Sequence, residues 1–261
     1  GAVDNLDPPL NHNDTYLGAD DTGAQSGDFA YGTFVKKSLL KGEYPYWNPY
    51  HGLGDPFADA ATSVLYPPNW LRLILPDHWF DMVNLLNWFL LACFVFLLSR
   101  ELGLEKKYSL FSAFTVLSCT FFQIYMETNS ISGTLAWFPL FLLGLEKARK
   151  KKSRFAPLII AVATYGLLNG FHPGPALSAF ITGFLFFVFR VFSEPKKRVL
   201  YVFHVGLGFL AGFLLSSFQV FPFLHHLFFS GQGAISASMH NYFYPNMLSS
   251  IVMPNFFGIL N

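Results

Sequence analysis

Charged side chains are scarce in this sequence: Asp, Glu, Lys and Arg make up 13% of 261 residues, while 52% are hydrophobic and 32 are Phe. An ordinary soluble domain carries about 25% charged residues, so membrane residence is the leading reading. Only two cysteines occur, Cys93 and Cys119, both within apolar stretches where a thiol behaves as a small hydrophobe. No disulfide framework and no redox compartment can be read from them. Also absent are a P-loop, a dinucleotide-type glycine fingerprint, G-x-S-x-G and CxxC, which sets soluble nucleotide enzymology aside. The formal net charge of +1 says nothing by itself, and no nucleic-acid partner is expected. The opening "GAVDNLDPPLNHNDT" lacks a basic stretch followed by an apolar one and does not read as a signal peptide.

What is present is a series of apolar runs. Crossing about 30 Å of hydrocarbon takes about 20 residues, and six candidates emerge: Trp79–Leu98, Tyr108–Tyr125, Gly133–Leu145, Phe155–Leu168, Pro175–Phe192 and Val199–Phe218. Each Leu, Ile, Phe or Val favours insertion by about 0.3–0.6 kcal/mol, whereas a central Lys or Asp costs about 3. Pro139 and Pro157 predict kinks or late helix starts. The joints alternate in character. "RELGLEKK" (100–107), "EKARKKKSR" (146–154) and "RVFSEPKKR" (190–198) hold 13 of the 17 Lys and Arg, which by the positive-inside rule assigns them to the cytoplasm. Residues 1–78, the turns at 126–133 and 169–174 and the tail then share the outer side. The expected fold is an all-α polytopic membrane protein with about six transmembrane helices. Its parts are an extracytoplasmic cap at 1–78, a helical bundle at 79–220 and an outer segment at 221–261.

The first loop is too polar to span and too aromatic to be disordered. Tyr31, Phe34, Val35 and Leu39 fall on one helical face opposite Lys36, Lys37 and Lys41, and Gly42 is placed to end an interfacial helix. The stretch "YPYWNPYHGLGDP" is expected to be irregular because of Pro45, Pro49, Pro56, Gly52 and Gly54. A second short helix is expected in "NWLRLIL" (69–75).

Several outward residues could carry chemistry. Asp20 and Asp21 stand adjacent in "GADDTGAQ", where a partly desolvated carboxylate could take a proton from a hydroxyl and a pair could hold a divalent cation; the alternative is a solvated turn. Asp55 and Asp59 are further candidate acids that read more readily as turn caps. Glu127, at the start of an outer turn, faces the same compartment or is merely solvated. His172 is bracketed by Gly170, Pro173 and Pro175, so a rigid turn aims it at a phosphate or a sugar hydroxyl, or it caps local carbonyls. Trp47 and Tyr50 could stack on a sugar ring or belong to an interfacial belt. His225, His226 and His240 do not have the spacing of a zinc motif, and no residue is assigned as a metal ligand.

In chain order, "DTGAQ" (21–25), "LLKGEYPYWNPYHGLGDPF" (39–57), "LYPPNWL" (65–71), "NGFHPGPALSAF" (169–180), "SSFQVFPFL" (216–224) and "YPNMLSSIVMPNFFG" (244–258) resemble the bacterial YfhO family of GT-C-type membrane glycosyltransferases. The resemblance implies a GT-C-like fold and transfer of a sugar from a polyprenyl-phosphate carrier to a cell-envelope acceptor such as teichoic acid. Its setting would be the extracytoplasmic side of the bacterial cytoplasmic membrane. It also implies that the chain is the N-terminal half of a longer protein, with a first helix and a C-terminal half outside it. Carried onto this sequence, the essential acid is Asp21, with Gln25 close by, while Trp47, Asn48 and His172 line the site. Asp20 and Gly174 depart from the family pattern, which has Gly and Gln there. The carrier phosphate needs cations or donors, and the outward cations are Arg72 and the group Lys36, Lys37 and Lys41. The bilayer, the lipid-linked donor and the acceptor are the implied partners, and a divalent cation is an open cofactor question. Two other classes stay in view: a flippase for a lipid-linked sugar, and a non-catalytic assembly subunit. Against the flippase, the spans show mostly Asn84, Asn87 and Gln123 as polar residues, which is sparse for a pathway.

Overall fold

The computed structural model describes residues 30–49, 54–56, 64–76, 82–119, 129–149, 154–170, 172–193 and 198–229, and over these the chain is predominantly helical. Helix α1 spans Ala30–Leu40 and ends before Gly42, whose φ of 77° is a left-handed value that favours a residue without Cβ. Two-residue strands β1, Trp47–Asn48, and β2, Asp55–Pro56, then pair antiparallel, Trp47 opposite Pro56 and Asn48 opposite Asp55. This corrects the expectation of an irregular segment. Proline is admissible in so short a ladder because both strands are edges, where a missing N–H breaks no second row of bonds. Gly54, just before β2, has φ 99°, and a Cβ there would sit 2.5 Å from the Trp47 ring.

A 3-10 turn at Pro67–Trp70 runs into α2, Leu71–Ile74, which matches the short helix expected at 69–75. The bundle follows: α3 Met82–Glu101, α4 Lys106–Leu117, α5 Asn129–Ala136, α6 Phe138–Arg149, α7 Ala156–Asn169, α8 Pro173–Ser193, α9 Arg198–Leu215 and α10 Ser217–Phe229. Pro157 lies in the first turn of α7, where its missing N–H costs nothing. Pro139 sits just inside α6, after a break at Trp137 that separates α5 from α6. Both are the late starts that these prolines predict.

Helix α7 is the hub, packed on α9, α6 and α5. Its contact with α9 is close because Gly208 and Gly212 recur at a four-residue spacing. A Cβ at Gly208 would lie 2.6 Å from Pro157 O, and one at Gly212 would lie 2.6 Å from Ala161 O. Small residues at this spacing let two helix backbones approach, which is how helices associate in lipid. The core at the hub comprises Leu140, Leu143, Ile160, Ala163 and Leu167 among others.

The outside is as apolar as the inside. Phe89, Phe111, Phe114, Phe184, Phe203 and Phe218 are each more than half exposed. Exposed apolar side chains in this number are compatible with a lipid environment. Helices α3 and α8 are long and apolar enough to cross a membrane, and α9 with α10 makes a third if that pair, bent by 68°, is one span. The described helices therefore give two or three of the six expected crossings. Helix α7 is apolar but only 14 residues long, α4 and α6 have 12 each and α5 has 8.

The bundle has two chemically distinct ends. At one, Lys147 Nζ meets Glu101 Oε2 at 2.7 Å. Beside them Glu146, only 2% exposed, is held by Arg149 at 2.6 Å and by Arg190 Nε at 2.9 Å. The Arg190 contact is an ion pair whose angle falls outside hydrogen-bond geometry. These residues come from the three basic joints. At the start of α3 stand Asn84 and Asn87, about 21–26 Å of helix away from Glu101 at a rise of about 1.5 Å per residue. The candidate site lies at that second end.

Candidate functional site

Tyr66 docks the first loop onto the helices. Its side chain is fully buried, with the hydroxyl 2.7 Å from Asn87 Oδ1 and 3.2 Å from Gly133 O. With a single proton to give, it donates chiefly to the nearer Asn87, and it accepts the indole N–H of Trp137 at 3.0 Å. Asn87 Nδ2 donates to Ser132 Oγ at 3.3 Å, and Ser132 donates to Asn84 Oδ1 at 3.2 Å. One loop residue thereby joins α3, α5 and the α5–α6 break. Burial pushes the Tyr66 phenol far above its usual range, with the Trp137 N–H opposing, so it stays a neutral donor. No member of this chain is an acid, and its role is to position the loop. The loop is fastened once more by Tyr165 Oη, which donates to Leu65 O at 2.5 Å, and is braced within itself by Trp70 Nε1 donating to Val64 O at 3.1 Å. Helix α1 is tied to this segment by Lys36 Nζ, which donates to Leu75 O at 2.6 Å.

His172 sits at the same end. Its backbone N–H donates to Thr134 Oγ1 at 3.0 Å, which anchors the turn between α7 and α8 on α5. The approach is possible because Gly170 has no side chain: a Cβ there would lie 2.5 Å from Thr134 N and 2.7 Å from Gly133 C. Burial lowers the His172 pKa from its usual value, so the ring is neutral at pH 7. Its Nδ1 has no hydrogen-bond partner among the described residues. The ring is half-buried, and that Nδ1 is itself enclosed.

The other expected residues divide. Asp20, Asp21, Gln25, Tyr50, Asp59, Glu127 and His240 lie outside the described residues. Trp47 is 55% exposed and lies over Gly54, while Asn48 is buried. Arg72 is also buried, at 7% exposure, so its guanidinium is not a surface cation waiting for a phosphate. His225 is exposed on α10, and of the His226 side chain nothing is described. Among the described residues, no three His, Cys, Asp or Glu side chains gather as a metal site would require. The acids that could hold a cation, Asp20 and Asp21, are outside this set.

Two features escape sequence reasoning. Tyr66 reads as one more interfacial aromatic, and only the polar positions Asn84 and Asn87 facing it hint at a partner. The second is a polar knot where α7, α9 and α10 meet. Asn169 Nδ2 donates to Tyr165 O at 2.9 Å and to Ser216 Oγ at 3.0 Å, and Ser216 donates to Gly212 O at 2.9 Å. The signal for it is Ser216 and Gln219 interrupting an apolar run. Set against known protein families, curated proteins and solved structures, the chain matches none of them.

Proposed function

We propose that this chain is part of a membrane glycosyltransferase of the kind its motifs resemble, moving a sugar from a polyprenyl-phosphate carrier to an extracytoplasmic acceptor. The observation that carries the reading is the docking of Tyr66 between α3 and α5. It holds the "LYPPNWL" loop on the end of the bundle that also carries His172, two motifs far apart in sequence. A carrier whose isoprenoid lies in the bilayer presents its phosphate and sugar at such a boundary. In the proposed step the Asp21 carboxylate takes the proton of the acceptor hydroxyl, and that oxygen bonds to the anomeric carbon. The bond from that carbon to the phosphate oxygen breaks, and the lipid phosphate leaves with the electron pair, inverting the centre. His172 offers a neutral nitrogen for a hydrogen bond to sugar or phosphate, and Trp47 an exposed ring face.

A flippase is disfavoured by the use of the polar residues in α3. Asn84 and Asn87, which would mark a pathway, are buried in bonds that hold the loop. The test uses vesicles containing the full-length protein and a radiolabelled polyprenyl-phosphate sugar. Asp21→Asn is expected to lower transfer by about 10²–10⁴-fold, the usual weight of a general base, with expression unchanged. Full transfer by that variant would refute the role of Asp21, and label that crosses the bilayer without being transferred would favour the flippase.

A further inference from the structure

Arg190 is the only charged residue of the long apolar helix α8, three positions before its end at Ser193. An arginine near the end of such a helix ordinarily stretches out towards water. This one folds back. Its guanidinium carbon lies 5.0 Å from the ring centre of Phe186, one turn earlier in α8, and 5.7 Å from that of Phe189. Helical side chains lean towards the N-terminus, and the buried Glu146 fixes the lean by meeting Arg190 Nε at 2.9 Å. Nε is enclosed, whereas Nη1 and Nη2 are not, and they donate no hydrogen bond to a described residue. The side chain as a whole is 22% exposed. Arg149 shares the same carboxylate at 2.6 Å, so two guanidiniums stand against one acid and the cluster is net positive.

The surroundings decide what can meet these donors. Leu185, Phe189 and Phe192 recur at i, i+4 and i+7 on α8, and each is more than 60% exposed. Because α8 is long and apolar enough to cross a membrane, donors at the end of this stripe lie where headgroups meet acyl chains. A soluble anion answers the donors and leaves the stripe bare; a phospholipid answers both. The three joints at this end carry 13 Lys and Arg against four Glu, which favours a headgroup of net negative charge. We propose that Arg190 binds an anionic phospholipid, Nη1 and Nη2 donating to two phosphate oxygens in the fork geometry of a guanidinium, with an acyl chain along Leu185, Phe189 and Phe192. Glu146 and Phe186 position the guanidinium. The lipid sits at the end of the bundle away from Tyr66 and His172.

The test titrates the full-length protein in dodecyl maltoside with dioleoyl phosphatidylglycerol or dioleoyl phosphatidylcholine and reads bound lipid by native mass spectrometry. Phosphatidylglycerol should bind tighter by about fivefold or more, and an excess of glycerol 3-phosphate should not displace it. Replacing Lys150, Lys151 and Lys152 together by Gln should keep the preference, since charge is removed from this end without touching the Arg190 guanidinium. Arg190→Lys keeps the ion pair with Glu146 but loses the fork, and should reduce the preference. Arg190→Gln alone strands Glu146, so it is combined with Glu146→Gln, which removes one charge of each sign and leaves the net charge of the cluster unchanged; this double variant should bind the two lipids equally. Equal binding of the two lipids by the unaltered protein would overturn the site. So would a preference undiminished in Arg190→Lys or in the double variant, one lost with the three lysines, or one abolished by glycerol 3-phosphate.

Discussion

The indole N–H of Trp137 and the hydroxyl of Tyr66 meet at 3.0 Å although the two residues lie 71 positions apart. Their rings are edge to face, with centroids 6.3 Å apart. The contact joins the first loop to the break between α5 and α6.

Removing the hydroxyl alone should therefore be costly. Tyr66→Phe keeps the ring but leaves Asn87 Oδ1 and Trp137 Nε1 short of a partner in a buried site, which costs about 1–3 kcal/mol. Tyr66→Ala adds a cavity and should cost about 3–5 kcal/mol. Thermal unfolding in detergent measures both, and limited proteolysis should show the loop cut sooner in each variant.

The neighbourhood of His172 predicts a pH dependence with a definite sign. Its folded-state pKa lies below the ordinary value of 6.5 because burial disfavours the charged ring. Between that lowered value and 6.5 the unfolded chain binds more protons than the folded one, so stability rises with pH across the window. It is fully present above 6.5 and is lost as pH falls towards the folded pKa. His172→Gln should flatten this part of the curve, read as Tm against pH.

Two glycines on the same turn should respond in opposite ways. Gly170→Ala drives a methyl into the Thr134 backbone, which cannot move aside as a side chain can, and overpacking of this kind costs about 1–3 kcal/mol. Gly174 is different, because a Cβ there meets only the His172 ring, Nδ1 at 3.7 Å and Cε1 at 3.9 Å, both ordinary contacts. Gly174→Gln should be accepted without loss of Tm, and unfolding curves of the pair test the contrast.

At the opposite end, burial separates two carboxylates. Glu146→Gln strands Arg149 and Arg190 around a neutral group in a site 2% exposed, and breaking a buried pair costs about 3–5 kcal/mol. Glu105 meets Lys107 at 3.4 Å with both side chains about 70% exposed, so Glu105→Gln should change stability by about 0–1 kcal/mol. Equal effects of the two substitutions on Tm would contradict the burial argument.

Local signals were the legible ones. The stop of α1 at Gly42, the short helix after Pro67 and the start of α7 at Pro157 all follow from residues within a few positions of one another. The rigid turn around His172 could be read the same way from Gly170, Pro173 and Pro175. What escaped depends on partners far away in sequence. The pairing of Trp47 with Pro56 needed the left-handed Gly54 to turn the chain, and prolines on both sides argued against any ladder. Glu146, hidden in a run of six cations, reads as a solvated acid until Arg190 arrives from α8. The close contact of α7 with α9 could have been found, since "GFLAG" (208–212) spaces two glycines as lipid-embedded helix pairs do. Two or three of the six expected crossings stand out as long apolar helices among the described residues, and apolar character runs on through breaks in helix at Trp137 and Ser216.

The clasp at Tyr66 also imposes an order of events during synthesis. Its residue leaves the ribosome before any of its partners, and Trp137 follows 71 residues later, a delay of roughly 4–14 s at about 5–20 residues per second. Throughout that interval the tyrosine has no indole to meet, so this contact closes only after the α5–α6 break has been made.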